Sequence, residues 1–78
     1  MSSVISLSEL PLGCEAIISA LPRDDICASR LIELGFYPGA SVRPLFRAVF
    51  GEPCAYSVQN AIIALRKKET KKILVSPI

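Results

Sequence analysis

Apolar residues come in short blocks along this chain, and their spacing changes from block to block. The run "EAIISAL" (15–21) has strand length, follows a turn region at 11–13 and stops before Pro22, which predicts a first strand. In "RDDICASRLIELG" (23–35) the period changes. At about 100° per residue, Cys27, Ala28, Leu31, Ile32 and Leu34 share one face, while Ser29, Arg30 and Glu33 take the other. That pattern predicts an amphipathic helix of about three turns, with Asp24 or Asp25 as its N-cap. Ile26 breaks it by projecting from the polar face of the first turn. Gly35 falls at the C′ position, where left-handed geometry is wanted. Pro38 and Gly39 then suit the central positions of a type II turn.

The remainder reads as β structure. "SVRPLFRAVF" (41–50) alternates imperfectly, and Pro44 inside it implies an edge position or a bulge. "GEP" (51–53) is a turn, and "CAYSVQ" (54–59) alternates so that Cys54, Tyr56 and Val58 share one side. Asn60 suits a tight hairpin turn into "AIIAL" (61–65). "RKKET" (66–70) is expected as a short helical turn and "KKILVS" (71–76) as a last strand. The fold class predicted is mainly β: about five short strands in a small, strongly curved antiparallel barrel, with one helix inserted between the first two.

Length makes this one domain, 1–78, too small to hide all of an apolar content of 51%. Some apolar side chains are therefore expected outside, where contiguous patches mark partner sites. Cys14, Cys27 and Cys54 show no CxxC spacing and histidine is absent, so neither a zinc site nor a disulfide framework is indicated. Burial as small apolar residues is the expectation for all three, and unpaired thiols suit a cytoplasmic setting. The opening "MSSVISLSELPLG" lacks the basic segment and unbroken apolar core of a signal peptide, and no run approaches the roughly 20 apolar residues of a membrane span.

Without histidine no Ser–His or Cys–His nucleophilic pair forms, and Cys27 lies beside two aspartates that oppose its ionisation. The catalytic inventory is thin, and no enzyme, cofactor or metal site is expected. Gly35 and Gly39 follow a helix, whereas a phosphate-cradling loop precedes one, so both glycines read as punctuation. The net charge of +2 is modest, but five of nine basic residues crowd into "RKKETKK": Arg66, Lys67, Lys68, Lys71 and Lys72. That patch has three readings: a solvated turn, an electrostatic contact to an acidic partner or the anionic inner leaflet, and nucleic-acid binding.

The helix ending R-L-x-E-L-G, followed by an aromatic residue and x-P-G, resembles the FeoA family of bacterial ferrous-iron transport accessory proteins. "AVFGEP" (48–53) is similar to that family's A-P-L-G-D-P turn, "IALRKKET" (63–70) to its L-A-L-R-K-x-E segment, and "SLSELPLGCEAII" (6–18) to its opening. Val49 stands where the family usually has proline, Glu52 where it has aspartate, and Asn60 where it often has glycine. The resemblance implies a five-stranded SH3-like barrel with one inserted helix and a short helical turn before the last strand. It further implies a non-enzymatic cytoplasmic module that binds the GTPase-containing cytoplasmic part of the FeoB membrane transporter, close to the inner face of the membrane. The alternative is an SH3-like domain acting in metal-dependent transcriptional regulation or nucleic-acid binding. Such regulatory barrels trail a DNA-binding domain, whereas this chain enters its barrel sequence directly after Met1.

Six apolar residues are candidates for partner contact: Ile26 off the helix pattern, Phe36 and Tyr37 after the helix stop, Val49 and Phe50 at a turn tip, and Ile62 opposite in parity to Ile63. Phe36 has a second reading, packing back on the helix in a Schellman-type contact. The Arg66–Lys72 window supplies the electrostatic candidates.

Overall fold

The computed structural model describes residues 3–23 and 25–78. Six strands form one antiparallel sheet: β1 (Ile5–Ser6), β2 (Ala16–Ala20), β3 (Ser41–Arg47), β4 (Cys54–Val58), β5 (Ala61–Leu65) and β6 (Leu74–Pro77). Helix α1 (Asp25–Glu33) joins β2 to β3, and the single turn α2 (Lys67–Thr70) precedes β6. The spatial order is β1-β6-β2-β3-β4-β5, and among the described residues no ladder joins β1 to β5. The sheet curls into a small SH3-like barrel left open along that seam. The five long strands and the helix are those read from the sequence, and the two-residue β1 is an addition.

That addition has a local cause. "SLSE" is a capping box: the Ser8 backbone N–H donates to Ser6 Oγ, and the Ser6 backbone N–H donates to Glu9 Oε1. It folds residues Leu7–Glu9 into a 3-10 turn and drops Leu7 into the core, with Leu10 beside it. The Ser6 hydroxyl also lies 3.2 Å from the Thr70 carbonyl, tying β1 to α2. Ser6→Ala is expected to cost about 1 kcal/mol, read as a fall of roughly 4–8 °C in the melting midpoint.

Leu7, Ile18, Leu31, Phe36, Val42, Tyr56, Val58, Leu65, Ile73 and Val75 make one buried core. Cys54, Tyr56 and Val58 point into it, as their alternation predicts. The helix differs in detail. Among its described side chains only Leu31 is fully buried, with Leu34 just beyond it packed against the core, because the stripe that meets the barrel is narrow. Ile32, one residue on from Leu31, is turned about 100° away and is half exposed. The capping role read for Asp24 or the Asp25 side chain lies outside the described residues. Cysteine burial holds for Cys54 alone, since Cys14 is exposed on the turn before β2 and Cys27 is half-buried.

After α1 the chain stops in a Schellman motif. The Phe36 N–H donates to the Leu31 carbonyl at 2.8 Å and the Gly35 N–H to that of Ile32 at 3.0 Å, with Gly35 at φ +104°. The Ala40 N–H then donates to the Tyr37 carbonyl at 3.0 Å, closing a type II turn over Pro38 and Gly39. No phosphate-cradling loop results. Between β4 and β5, Gln59 and Asn60 both have positive φ, 47° and 64°, as a two-residue type I′ hairpin requires.

Candidate functional site

The site begins with Pro44. Its carbonyl accepts from the Gly13 N–H at 2.8 Å, so its nitrogen faces the same side, beyond the point where the β2 ladder ends at Val42. A proline costs no hydrogen bond there. Toward β4, the register runs Pro44 opposite Tyr56, then Phe46 opposite Ala55 and Arg47 opposite Cys54. Leu45 is thus an extra residue, a bulge that reverses the alternation beyond it.

Two consequences follow from that reversal. Phe46, which regular alternation would send inward after Pro44, lies on the outer face and is 60% exposed. Arg47 shares the face of Cys54 and Tyr56, the face that lines the barrel. Strict alternation from Pro44 would assign both residues to the wrong side. Pro44 itself is the signal that the pattern is broken there.

Beyond the bulge the β3–β4 turn carries Val49 and Phe50 at its tip, 93% and 95% exposed. An aromatic and a branched aliphatic side chain held out on one turn form an apolar projection. Its base is fixed by the Ala48 N–H donating to the Pro53 carbonyl and the Gly51 N–H to that of Ala48. Glu52 Oε1 accepts from the Lys67 backbone N–H and ties the turn to α2. Phe46, absent from the sequence-derived candidates, extends this apolar surface down the outer face.

The other candidates divide. Phe36 is withdrawn from the docking surface. It is 0% exposed, held inward by the Schellman bonds, with its ring edge-on to Tyr56 at 6.4 Å between centroids. Tyr37, one residue further, is partly exposed at the edge of its turn. Ile62 faces outward from β5 opposite Ser57, on the same outer surface as Phe46 but with β4 between them. Ile26 projects from the first turn of α1, 84% exposed, outside the hairpin that carries Val49 and Phe50. Arg66, Lys67, Lys68, Lys71 and Lys72 are all exposed on and around α2. Glu69, between them, forms an ion pair with Arg30 of α1.

Beneath the tip lies a cleft of about 210 Å³. Arg47 from β3, Cys54 and Tyr56 from β4, Leu65 from β5, Lys67 and Thr70 from α2, and Ser8 from the 3-10 turn line it. Burial pushes the Tyr56 phenol well above the usual tyrosine range, and the adjacent Cys54 thiol adds to the shift. The Thr70 hydroxyl and Arg47 oppose it without cancelling it. Tyr56 therefore stays protonated across the physiological range. A second cleft, of about 360 Å³, holds Glu15, Ser41 and Arg43, but Glu15 is already paired there with the Arg43 guanidinium at 3.6 Å and with the Ser41 hydroxyl. Among the described residues no group of three or more histidine, cysteine, aspartate or glutamate side chains is placed to hold a metal ion. Nor is any helix among them long and apolar enough to cross a membrane.

A curled antiparallel sheet of this order, with its helix inserted between β2 and β3, places the protein among the small SH3-like barrel domains. The chain belongs to the FeoA family: residues 5–77 match the FeoA domain. Among solved structures, the FeoA of Stenotrophomonas maltophilia, complexed with zinc, is 39% identical at a TM-score of 0.80, over 91% of this chain and 88% of that one. The iron(II) transport protein A of Clostridium thermocellum is 31% identical at a TM-score of 0.89, over 95% of this chain, which spans 46% of that one. A manganese-dependent transcriptional repressor matches at a TM-score of 0.86 but at 15% identity, covering 100% of this chain and 44% of that one, a likeness of fold alone. No curated protein matches. Membership of the FeoA family implies an accessory role in ferrous-iron transport.

Proposed function

We propose that this domain is a non-enzymatic docking module that supports ferrous-iron transport by binding the cytoplasmic part of an FeoB-type membrane transporter. The observation that carries this reading is the exposed Val49–Phe50 projection, anchored at its base and extended by Phe46. An aromatic anchor on a fixed turn is the kind of group that supplies most of the binding energy of an interface, at little ordering cost. The exposed basic residues around α2 add attraction to an acidic partner surface or to the anionic leaflet beside which such a transporter sits.

The test is capture of the transporter's soluble cytoplasmic portion by the tagged domain. Val49→Glu and Phe50→Glu are each expected to weaken capture about tenfold or more. Both residues are almost wholly exposed, so the melting midpoint should not move. Ile26→Glu, run beside them, maps whether the first turn of α1 belongs to the same surface. Undiminished capture by both tip variants would remove the projection from the interface. The competing reading, nucleic-acid binding through Arg66, Lys67, Lys68, Lys71 and Lys72, is checked with a labelled duplex across a salt series. Steep weakening with salt would favour it, and no binding at physiological salt is the expected result.

A further inference from the structure

The cleft beneath the tip is unused by the docking surface just described, and its lining is chemically uneven. Two cationic side chains, Arg47 and Lys67, stand on it from different elements. Tyr56 and Thr70, each only 2% exposed, contribute hydroxyl groups, while Cys54, Leu65 and the Tyr56 ring make apolar wall. No acidic side chain lines it. Glu52, on the turn above, has one oxygen committed to the Lys67 backbone N–H. Arg47 reaches this wall only because Leu45 is bulged out of the ladder.

Size narrows the ligand. At about 210 Å³ the cleft falls below the 300–1,000 Å³ typical of small-molecule sites, so it admits one side chain or a small ion but no nucleotide. The mixed lining narrows it again. Two basic residues in the lining suit a carboxylate head, which an arginine fork can grip through two parallel hydrogen bonds. The apolar wall suits a methylene stem.

We propose that this cleft receives the side chain of an acidic residue of the docking partner, with its carboxylate between Arg47 and Lys67 and its stem against Leu65 and Tyr56. Because Arg47 and Cys54 are the residues from which the Ala48–Pro53 turn departs, the same partner segment places an apolar group on Val49 and Phe50 and an acid in the cleft. The assignment rests on the hairpin tip being a docking surface, but its own test needs no transporter.

The probe is the blocked amino acid N-acetyl-glutamate amide, titrated into the isotope-labelled domain at constant ionic strength and followed by amide NMR. Saturable shifts in the millimolar range are expected at Ser8, Arg47, Lys67 and Thr70. They should weaken about tenfold or more in Arg47→Gln, a substitution at an exposed position, with Lys67→Gln as the second variant. N-acetyl-glutamine amide, equal in shape and uncharged, should give no saturation. Three outcomes overturn the proposal: equal response to the two amides, unsaturating shifts centred on Lys68, Lys71 and Lys72, or tighter binding of inorganic phosphate than of the blocked glutamate. The last would make the cleft a site for a free oxyanion. If the titration fails while tip variants still abolish capture, only the cleft assignment falls. If it succeeds while capture fails, the cleft stands without the transporter.

Discussion

Phe36→Ala is expected to cost about 3–5 kcal/mol, as large-to-small changes at fully buried aromatic positions do. Domains of this length hold only about 4–12 kcal/mol in all, so most of the folded margin is at stake. Phe36 sits at the junction of helix and barrel. Its backbone closes the Schellman motif on Leu31, and its ring meets Tyr56 at 83°, a T-shaped contact worth about 0.5–1.5 kcal/mol beyond the area buried. Removing the ring leaves a cavity in the core beside Tyr56. Thermal denaturation should show a midpoint lowered by about 15 °C or more. Phe36→Leu, which keeps apolar volume, should recover part of it. A Phe36→Ala domain that melts normally but no longer captures the transporter portion would return this residue to the docking surface.

Gly35→Val is the second large effect, and its cause is the backbone. At φ +104° only glycine is relaxed, and a β-branched residue is the worst replacement. A Cβ at this position would stand 3.4 Å from Gln59 Cγ and 3.5 Å from Gln59 Cβ. That is ordinary van der Waals contact for the Cβ itself, so any added crowding comes from the γ-methyls of valine, beside a residue whose backbone holds the first left-handed position of the β4–β5 turn. We expect a loss of about 2–3 kcal/mol, seen as a lower denaturant midpoint at unchanged slope. Gly39 is the control. It has a similar φ, +96°, but a Cβ there meets nothing within 4 Å, so Gly39→Val should carry the backbone strain alone and cost less. Equal losses at the two positions would show that the approach to Gln59 contributes nothing.

How far the sequence foretold this molecule depends on whether local patterning or long-range pairing decided each element. Gly35, Pro38 and Gly39 act within a few residues, and their roles were legible as written. So was the inward row of Cys54, Tyr56 and Val58, because β4 has a neighbour on each side and its register is unbroken against β5. Ile32 was misread because periodicity gives the direction of an apolar face, while the width of the stripe depends on what packs against it. Phe36 had two readings, and only the barrel wall opposite the helix decides between them.

The site was half legible. Val49 and Phe50 could be found at a turn tip, since nothing packs against a tip. The cleft could not, because its lining comes from five segments scattered from Ser8 to Thr70. Its cation also depends on the register of β3 against β4. Pro44 announced a bulge or an edge, but which residue is looped out is settled by pairing, and the faces of Phe46 and Arg47 follow from that.

The pairing of Ile5 with Val75 and of Ser6 with Leu74 bears on how this chain assembles. Closing the β4–β5 hairpin joins residues across two intervening positions, whereas the β1–β6 ladder must gather almost the whole polypeptide into one loop. Each doubling of loop length costs about 0.6 kcal/mol, so this closure carries roughly 2–3 kcal/mol more chain entropy than the hairpin, for only two paired positions. Ser6, bonded at once to Ser8 and to the Thr70 carbonyl, works as a clasp on that expensive loop. The β3–β4–β5 meander is built from near neighbours and carries Phe46, Val49 and Phe50. The surface proposed for a partner therefore rides on the part of the chain whose order depends least on the clasp.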